Sequence, residues 1–529
     1  MDEGVFSWEI NAQRGGVAMK EKLKKLDSVR WELETSARER MNVKARIIGS
    51  KEIIDRAEDT AIEQLTNVAC LPGVVEPVLA MPDAHWGYGL PMGAVGAFDA
   101  EEGVISAGCT GFDINCGIHM IRSDLTVPEI QDTMPKLMDA LFHKVPAGVG
   151  SQGPLRLSNS DMDEVLMRGA QWAVDNGYGV SDDLDRMEEN GCIEGASCGD
   201  EVSSKARQRG TPQLGSLGSG NHFLEIQRID QIYEPEVAET FGITKPDQVV
   251  IMLHCGSRGF GHQVASDYLD IHNRAAKKHN IWLPDKQLVC APVNSNEGQA
   301  YFLAMKAAVN YAFTNRLVMT HWIREAFESV FDNDWQALGL NTIYDVCHNI
   351  CKLETHQHQG EKRQLYVHRK GATRSFGPGQ REVPDIYRAV GQPVLIAGSM
   401  GTASYVLVGT ERAMMESFGS SCHGAGRAMS RTRALKQFWG STVRKELEAE
   451  GRHIRSAHPG ILAEEAPGAY KDIDLVIESV HVAGISRKVA RTMPLGVVKG
   501  GGEGGRRRGK RKGHQRSRGQ NHRQRQRRP

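Results

Sequence analysis

Five short segments, scattered from residue 111 to residue 427, constrain this chain more than anything else in it. They are Gly111-Phe112-Asp113-Ile114-Asn115-Cys116-Gly117, Gly218-Ser219-Gly220-Asn221-His222-Phe223, Leu253-His254-Cys255-Gly256-Ser257-Arg258-Gly259, Asp345-Val346-Cys347-His348-Asn349-Ile350-Cys351 and Ser421-Cys422-His423-Gly424-Ala425-Gly426-Arg427. Each sets a metal-ligand or nucleophile residue type among small neighbours. None can act alone. The fold must gather them.

The chain has 529 residues, enough for a large core. No apolar run approaches the ~20 residues that span a bilayer, so no membrane partner is expected. The N-terminus is acidic and mixed, unlike a secretory signal, and the expected location is the cytoplasm. Ten cysteines with no CxxC pair read as reduced thiols, one or two of them metal ligands.

Bases and acids balance at 65 each, but not evenly along the chain. Residues 501–529 hold twelve Lys or Arg and one Glu, which leaves 53 bases and 64 acids before them. An acidic body repels nucleic acid at long range, so any such site in it must be a local groove. The organisation expected is an N-terminal extension over 1–18, a body over 19–500 and a disordered basic Gly/Arg-rich tail over 501–529. Met19 reads as an alternative initiator.

Hydrophobic patterning places strands over 44–48 and 74–81, followed by a glycine-rich loop over 81–89 that carries His85. A charged helix is expected to start within 21–27. The spacing predicts an amphipathic helix over 161–176. A strand begins near Phe223. Another, over 249–254, runs into the glycine turn after His254, a usual place for a site. Helices follow over 263–278 and 299–331. In the second, Phe302, Met305, Val309, Ala312 and Phe313 have core spacing. A strand over 342–347 delivers His348, residues 370–374 read as a basic loop, and 394–396 is a strand. The loop Ala397–Tyr405 has hydroxyls among glycines that suit phosphate, but it is no Walker loop. A helix over 427–450 places Arg427 and Arg431 one turn apart.

Asp113 and Cys116 pair a hard with a soft ligand, which suits a borderline ion such as Mn²⁺ or Zn²⁺. One Asp, one Cys and three His could hold one or two divalent ions. His423 stands outside that set with arginines behind it. Imidazole can attack phosphorus, and metal ions neutralise charge on transferring phosphates.

With these motifs together, the chain resembles the RtcB family of GTP-dependent RNA-splicing ligases. The resemblance rests on GFDINCG at 111–117, GSLGSGNHFLE at 215–225, LHCGSRGFGH at 253–262, VCHN at 346–349, GSMGTASY at 398–405, CHGAGRAMSR at 422–431 and PLGVVKG at 494–500. It runs in order from about Lys22 to Gly500. It implies an α+β fold, with mixed sheets flanked by helices around a single dinuclear-metal cleft. It implies two Mn²⁺ ions on Asp113, Cys116, His222, His254 and His348, with Cys116 bridging, and His423 as the nucleophile toward GTP. The guanylate would be held by Asn221, His222, Phe223, Leu224, Glu225, His348, Asn349, Ala397, Gly398, Ser399, Met400, Ser404, His423, Gly424, Ala425, Gly426, Tyr470 and Lys499. The implied reaction joins RNA 2′,3′-cyclic phosphate or 3′-phosphate ends to 5′-hydroxyl ends, in tRNA splicing or RNA repair. The implied partners are RNA (tRNA halves or broken RNA), GTP and an archease-type activator. Ala397 stands where the family commonly has Pro, and the tail lies beyond the resemblance. A dinuclear metallohydrolase acting on phosphoesters would use the five ligands but leave His423, Lys499 and the 398–405 loop idle. A non-catalytic RNA-binding protein would suit the tail but needs no ligand set.

Overall fold

The chain changes sheet at His348. The strand Thr342–Cys347 ends one sheet, and Asn349–His358 begins at the edge of another. The computed structural model describes residues 18–501. The expected extension and tail therefore fall, but for Ala18 and Gly501, outside the described residues.

The first sheet has seven strands, in the order Lys24–Lys25, Arg30–Leu33, Ala45–Ile48, Val74–His85, Met92–Asp99, Glu361–Lys370, Asn349–His358. The second has eight. Its path runs Thr342–Cys347, Gly117–Thr126, Gln248–Cys255, Phe223–Ile232, Ser486–Lys499, Ser404–Gly409, Pro393–Ile396, and His453–Ser456 pairs beside Ser486–Lys499. Both sheets mix parallel with antiparallel pairing. One apolar cluster joins them, with Leu79, Val95 and Val367 from the first and Ile396, Tyr405 and Leu407 from the second. Helix Ile473–Ala483 adds Val476, Ile477 and Val480 to it.

Helix Asn296–Phe331 is buried on almost every side along its middle, where polar residues such as Asn310, Asn315 and Arg316 are buried with the apolar ones. Ser295 caps its start by accepting the Gly298 N–H. The strand Gln248–Cys255 is buried along its whole length, which is why its sequence is unbroken apolar from Val249 to Leu253. Among the described residues, no helix is long and apolar enough to cross a membrane.

The α+β expectation holds, and several elements differ from those expected. The Glu21 region forms a short 3₁₀ turn, Met19–Lys22, and then a strand rather than a longer helix. The strand from Val74 runs on to His85, so part of the expected loop is sheet. The helix over 161–176 is two, Asn159–Arg168 and Ala170–Asp175, because Gly169 has φ 56°. Residues 370–374 are the end of one strand and the short strand Ala372–Arg374, all buried, rather than a loop. The helix over 427–450 is also two, Arg431–Gln437 and Gly440–Ala449, with Arg427 in the segment before them.

Candidate active site

Each predicted metal ligand sits at or near the end of a strand of the second sheet. Cys116 precedes Gly117–Thr126, His222 precedes Phe223–Ile232, His254 lies one residue from the end of Gln248–Cys255, and His348 follows Thr342–Cys347. These strands are neighbours. Gly117 pairs with both Cys347 and Cys255, and His254 pairs with Phe223. The pairing brings four distant segments to one sheet edge. Asp113 comes from the turn before Cys116, whose N–H donates to the Asp113 carbonyl at 3.0 Å.

The ligand atoms form two groups that share Cys116: Cys116, His254 and His348; and Asp113, Cys116 and His222. Within each group they lie inside 4.8 Å of one another. Cys116 Sγ is 3.1 Å from His254 Nε2 and 3.5 Å from His222 Nε2. His254 and His348 approach through Nε2 at 3.2 Å, and His222 Nε2 is 2.8 Å from Asp113 Oδ2. His222 Nδ1 bonds to the Leu217 carbonyl at 2.9 Å and His254 Nδ1 to that of Asn221 at 3.2 Å. For His254 this puts the proton on Nδ1 and turns the Nε2 lone pair inward, as metal-ligating histidines require. Burial opposes charge on His222, but the sulfurs of Cys255 and Cys116 and the Asp113 carboxylate hold it well above the usual imidazole range. It donates Nε2–H to Asp113 until an ion takes the place of that proton. His348 Nδ1 is buried with no hydrogen-bond partner among the described residues.

Burial, then the neighbouring histidines, hold His254 and His348 far below the usual imidazole range, so both are neutral donors. Burial and Asp113 push the Cys116 thiol up to about 12. Only a bound cation would make it a thiolate at neutral pH. The donor set therefore fits divalent ions sharing one sulfur. Gly256 leaves the room for it: a Cβ there would lie 2.5 Å from Asp113 Oδ2.

His423 stands beside this cluster, its ring 4.8 Å from that of His348. Its Nδ1 is 2.7 Å from Asp83 Oδ2, which also accepts the His423 N–H at 3.0 Å and the Gly424 N–H at 3.3 Å. Burial opposes charge on Asp83, but His423 and these donors hold the carboxyl below its usual range. Nδ1–H is thus fixed, and Nε2 takes no protein hydrogen bond among the described residues. Gly371, at φ 60°, admits the ring: a Cβ there would come 2.9 Å from His423 Cε1. His85, singled out in the sequence, instead bonds to the Asp83 carbonyl through Nδ1 at 3.0 Å.

Asp83 was missed in the sequence, its only signal being an acid between Pro82 and Ala84. Glu465 was missed too. It is buried and gathers three residues: Arg427 Nη1 at 3.1 Å, Lys499 Nζ at 3.6 Å and the Tyr470 hydroxyl.

Several of the residues expected to hold a guanylate lie close to the ligand cluster or to His423. Lys499 Nζ lies 5.5 Å over the Phe223 ring, and Phe223 meets His254 edge-on at 5.4 Å. Phe223 and Glu225 share one strand face. Burial raises the Glu225 carboxyl to about 7. The Ala397–Met400 loop reaches the segment after His423 through the Ala425 N–H, which donates to the Ala397 carbonyl at 3.0 Å. Ser404 Oγ accepts the Gly398 N–H at 3.0 Å, and Ser399 Oγ lies 3.0 Å from Thr402 Oγ1. Three side chains are otherwise engaged. Leu224 and Met400 point into apolar clusters. The Asn349 amide donates to the Asp113 carbonyl at 3.0 Å and accepts the Gly371 N–H at 2.8 Å, so it ties the Asp113 turn to the backbone at Gly371.

Comparison with known proteins places most of the chain beside one family. The family model described as "tRNA-splicing ligase RtcB" matches residues 64–500. A protein of that name from Archaeoglobus fulgidus is 53% identical over 478 residues, 90% of this chain and 99% of the relative. One from Thermococcus kodakarensis is 53% identical over 479 residues, with the same coverage. One from Methanococcus maripaludis is 49% identical over 482 residues, 91% of this chain and all of the relative. With the shared-thiol ligand cluster and the carboxylate-held histidine beside it, these matches show that the chain belongs to the RtcB family.

Proposed function

We propose that this protein is a GTP- and Mn²⁺-dependent RNA ligase that joins 3′-phosphate or 2′,3′-cyclic phosphate ends to 5′-hydroxyl ends through His423. The observation that carries this reading is the Asp83–His423 pair. It fixes the imidazole tautomer and leaves Nε2 without a protein partner beside five convergent ligand residues. A metallohydrolase needs the ligands but has no use for an oriented histidine outside them.

Asp113, Cys116 and His222 would hold one Mn²⁺, and Cys116, His254 and His348 the second. When bound, the ions supply charge neutralisation at the phosphates. The Nε2 lone pair of His423 attacks the α-phosphorus of GTP. The N–P bond forms as the P–O bond to pyrophosphate breaks. Asp83 keeps the Nδ1 proton in place and offsets the positive charge that develops on the ring. Glu225 and Lys499 suit the donor and acceptor edges of guanine, with Phe223 against its face. The guanylate then passes from His423 to an RNA 3′-phosphate, breaking N–P and forming O–P. A 5′-hydroxyl attacks that phosphate, the phosphodiester forms and GMP leaves. A cyclic end is opened by water first. The RNA would be halves of a spliced tRNA or a broken strand.

The test is incubation of the full chain with Mn²⁺ and GTP labelled at the α-phosphorus. Acid-labile label on the wild-type protein, absent from His423→Ala, is the expected result. No covalent label on the wild type would refute the ligase mechanism and leave a hydrolase.

A further inference from the structure

The long central helix sends one side chain to three of the segments that carry metal ligands. Arg316 is wholly buried. Its Nη1 donates to the Asn115 carbonyl at 2.8 Å and the Cys255 carbonyl at 2.9 Å. Its Nη2 donates to Asn115 Oδ1 at 3.0 Å and Asp345 Oδ1 at 2.7 Å, and its Nε to Asp345 Oδ2 at 2.8 Å. All five N–H groups of the guanidinium are used. Asn115 precedes Cys116, Cys255 follows His254, and Asp345 lies on the strand that delivers His348.

We propose that Arg316 is a positioning residue for the metal centre: it sets the mutual placement of Cys116, His254 and His348. The inference rests on the reading of that cluster as a metal site. The three ligands stand on three different chain segments, and Arg316 bonds to all three. The Asn115 amide anchors the same unit from the other side, because its Nδ2 donates to the Val309 carbonyl at 2.8 Å on the same helix. Asn115 has φ 50°, a backbone state that Asn tolerates better than most residues. His119 completes the Asp345 carboxylate at 2.9 Å, so the acid is held from both sides.

A buried ion pair of this kind adds little stability over apolar packing. What the planar fork adds is geometry, because a lysine ammonium is a point donor and cannot span two carbonyls and a carboxylate together. The same helix supplies a control. Arg324 is also buried and pairs in bidentate fashion with Asp183, both contacts at 2.7 Å. Its remaining bond goes to the Leu340 carbonyl at 3.1 Å, and it meets the strand that delivers His348 only at its far end, through Asp183, which accepts from the Thr342 hydroxyl at 2.6 Å.

The experiment titrates Co²⁺ into the metal-free full chain without GTP or RNA. The readouts are the absorption of the cobalt–thiolate bond and, separately, Tm. Arg316→Lys is expected to raise the Co²⁺ concentration at half-saturation about tenfold or more, the scale of losing a residue that orients metal ligands. Asn115→Gly keeps the backbone state but deletes the Oδ1 acceptor of Arg316 and the Nδ2 donor to Val309, and should move it in the same direction by less. Arg324→Lys should lower Tm with half-saturation unmoved. A wild-type band with half-saturation unchanged in Arg316→Lys overturns the proposal. Should that variant fail to fold, unchanged half-saturation in Asn115→Gly overturns it instead. No thiolate band in the wild type overturns the metal-site reading itself, and this inference with it.

Discussion

Asp83 Oδ2 lies 2.7 Å from His423 Nδ1, although 340 residues separate them in the chain. The carboxylate stands near the end of a strand of the first sheet, and the histidine follows the short strand Ser420–Cys422. An acceptor at Nδ1 decides which nitrogen can attack. Asp83→Asn should therefore cut guanylylation by about 10³- to 10⁴-fold, as when a catalytic imidazole loses its orienting carboxylate. His423→Ala should abolish labelling, yet still join RNA supplied with a guanylylated 3′ end. Gel assay of labelled protein and of joined RNA checks both. Wild-type labelling in Asp83→Asn would remove Asp83 from the mechanism.

Cys116 is the one residue common to both ligand groups. Its replacement by Ser keeps the shape but gives a much poorer ligand. Guanylylation should fall at least ~10²-fold, the scale of losing one main electrostatic contributor to catalysis. Full activity of Cys116→Ser at saturating Mn²⁺ would make the thiol a packing residue.

Glu225 should impose a pH dependence on GTP binding. Burial raises its carboxyl to about 7, above the ordinary 4.5. Only the ionised form accepts from both guanine N–H groups, so affinity should rise as pH climbs through about 7 and fall below it. The same raised value means that ionisation costs stability, so without GTP the fold loses stability as pH rises from 4.5 to 7. Glu225→Gln should bind GTP more weakly and with a flatter profile across that window. Calorimetry at a series of pH values measures it, and an equal slope in both proteins would assign the titration elsewhere.

The basic tail should raise RNA affinity without choosing sequence. Each neutralised phosphate contributes ~0.7 to the salt slope for single strands. A tail that engages about five phosphates would steepen that slope by about 3 to 4 units by the same rule. Gly501, the last described residue, accepts the Val149 N–H at 3.1 Å, so truncation belongs after it. RNA binding across a salt series, beside guanylylation, tests this. Equal slopes with and without the tail would end the tether idea, and faster guanylylation after truncation would mean that the tail obstructs the nucleotide.

The ligand segments were legible because ligands at strand ends leave a local mark, an apolar run that begins or ends at a Cys or His within two residues of Gly or Asn. Cys116, His222, His254 and His348 all carry it. Asp83 did not, because the glycines at 87 and 89 made its neighbourhood read as loop while hydrogen bonding carries the strand through to His85. Burial of residues 370–374 was hidden by their charge. Lys370 is nonetheless buried and donates to the carbonyls of Tyr88 and Gly108, and burial lowers its ammonium to about 8. Arg316 was invisible for the same reason: a lone arginine in a helix reads as a solvent-facing residue until its partners are seen. The helix breaks near Gly169 and Phe438 depend on tertiary context that helical periodicity does not record.

His348 is the only residue between a strand of one sheet and a strand of the other. No slack exists at that joint. Its N–H donates to the Cys116 carbonyl at 2.9 Å, and its own carbonyl accepts the Ala372 N–H at 3.1 Å. An ion held by His348 and Cys116 would therefore act as a rivet between the two layers. Loading would then stiffen the joint between the sheets.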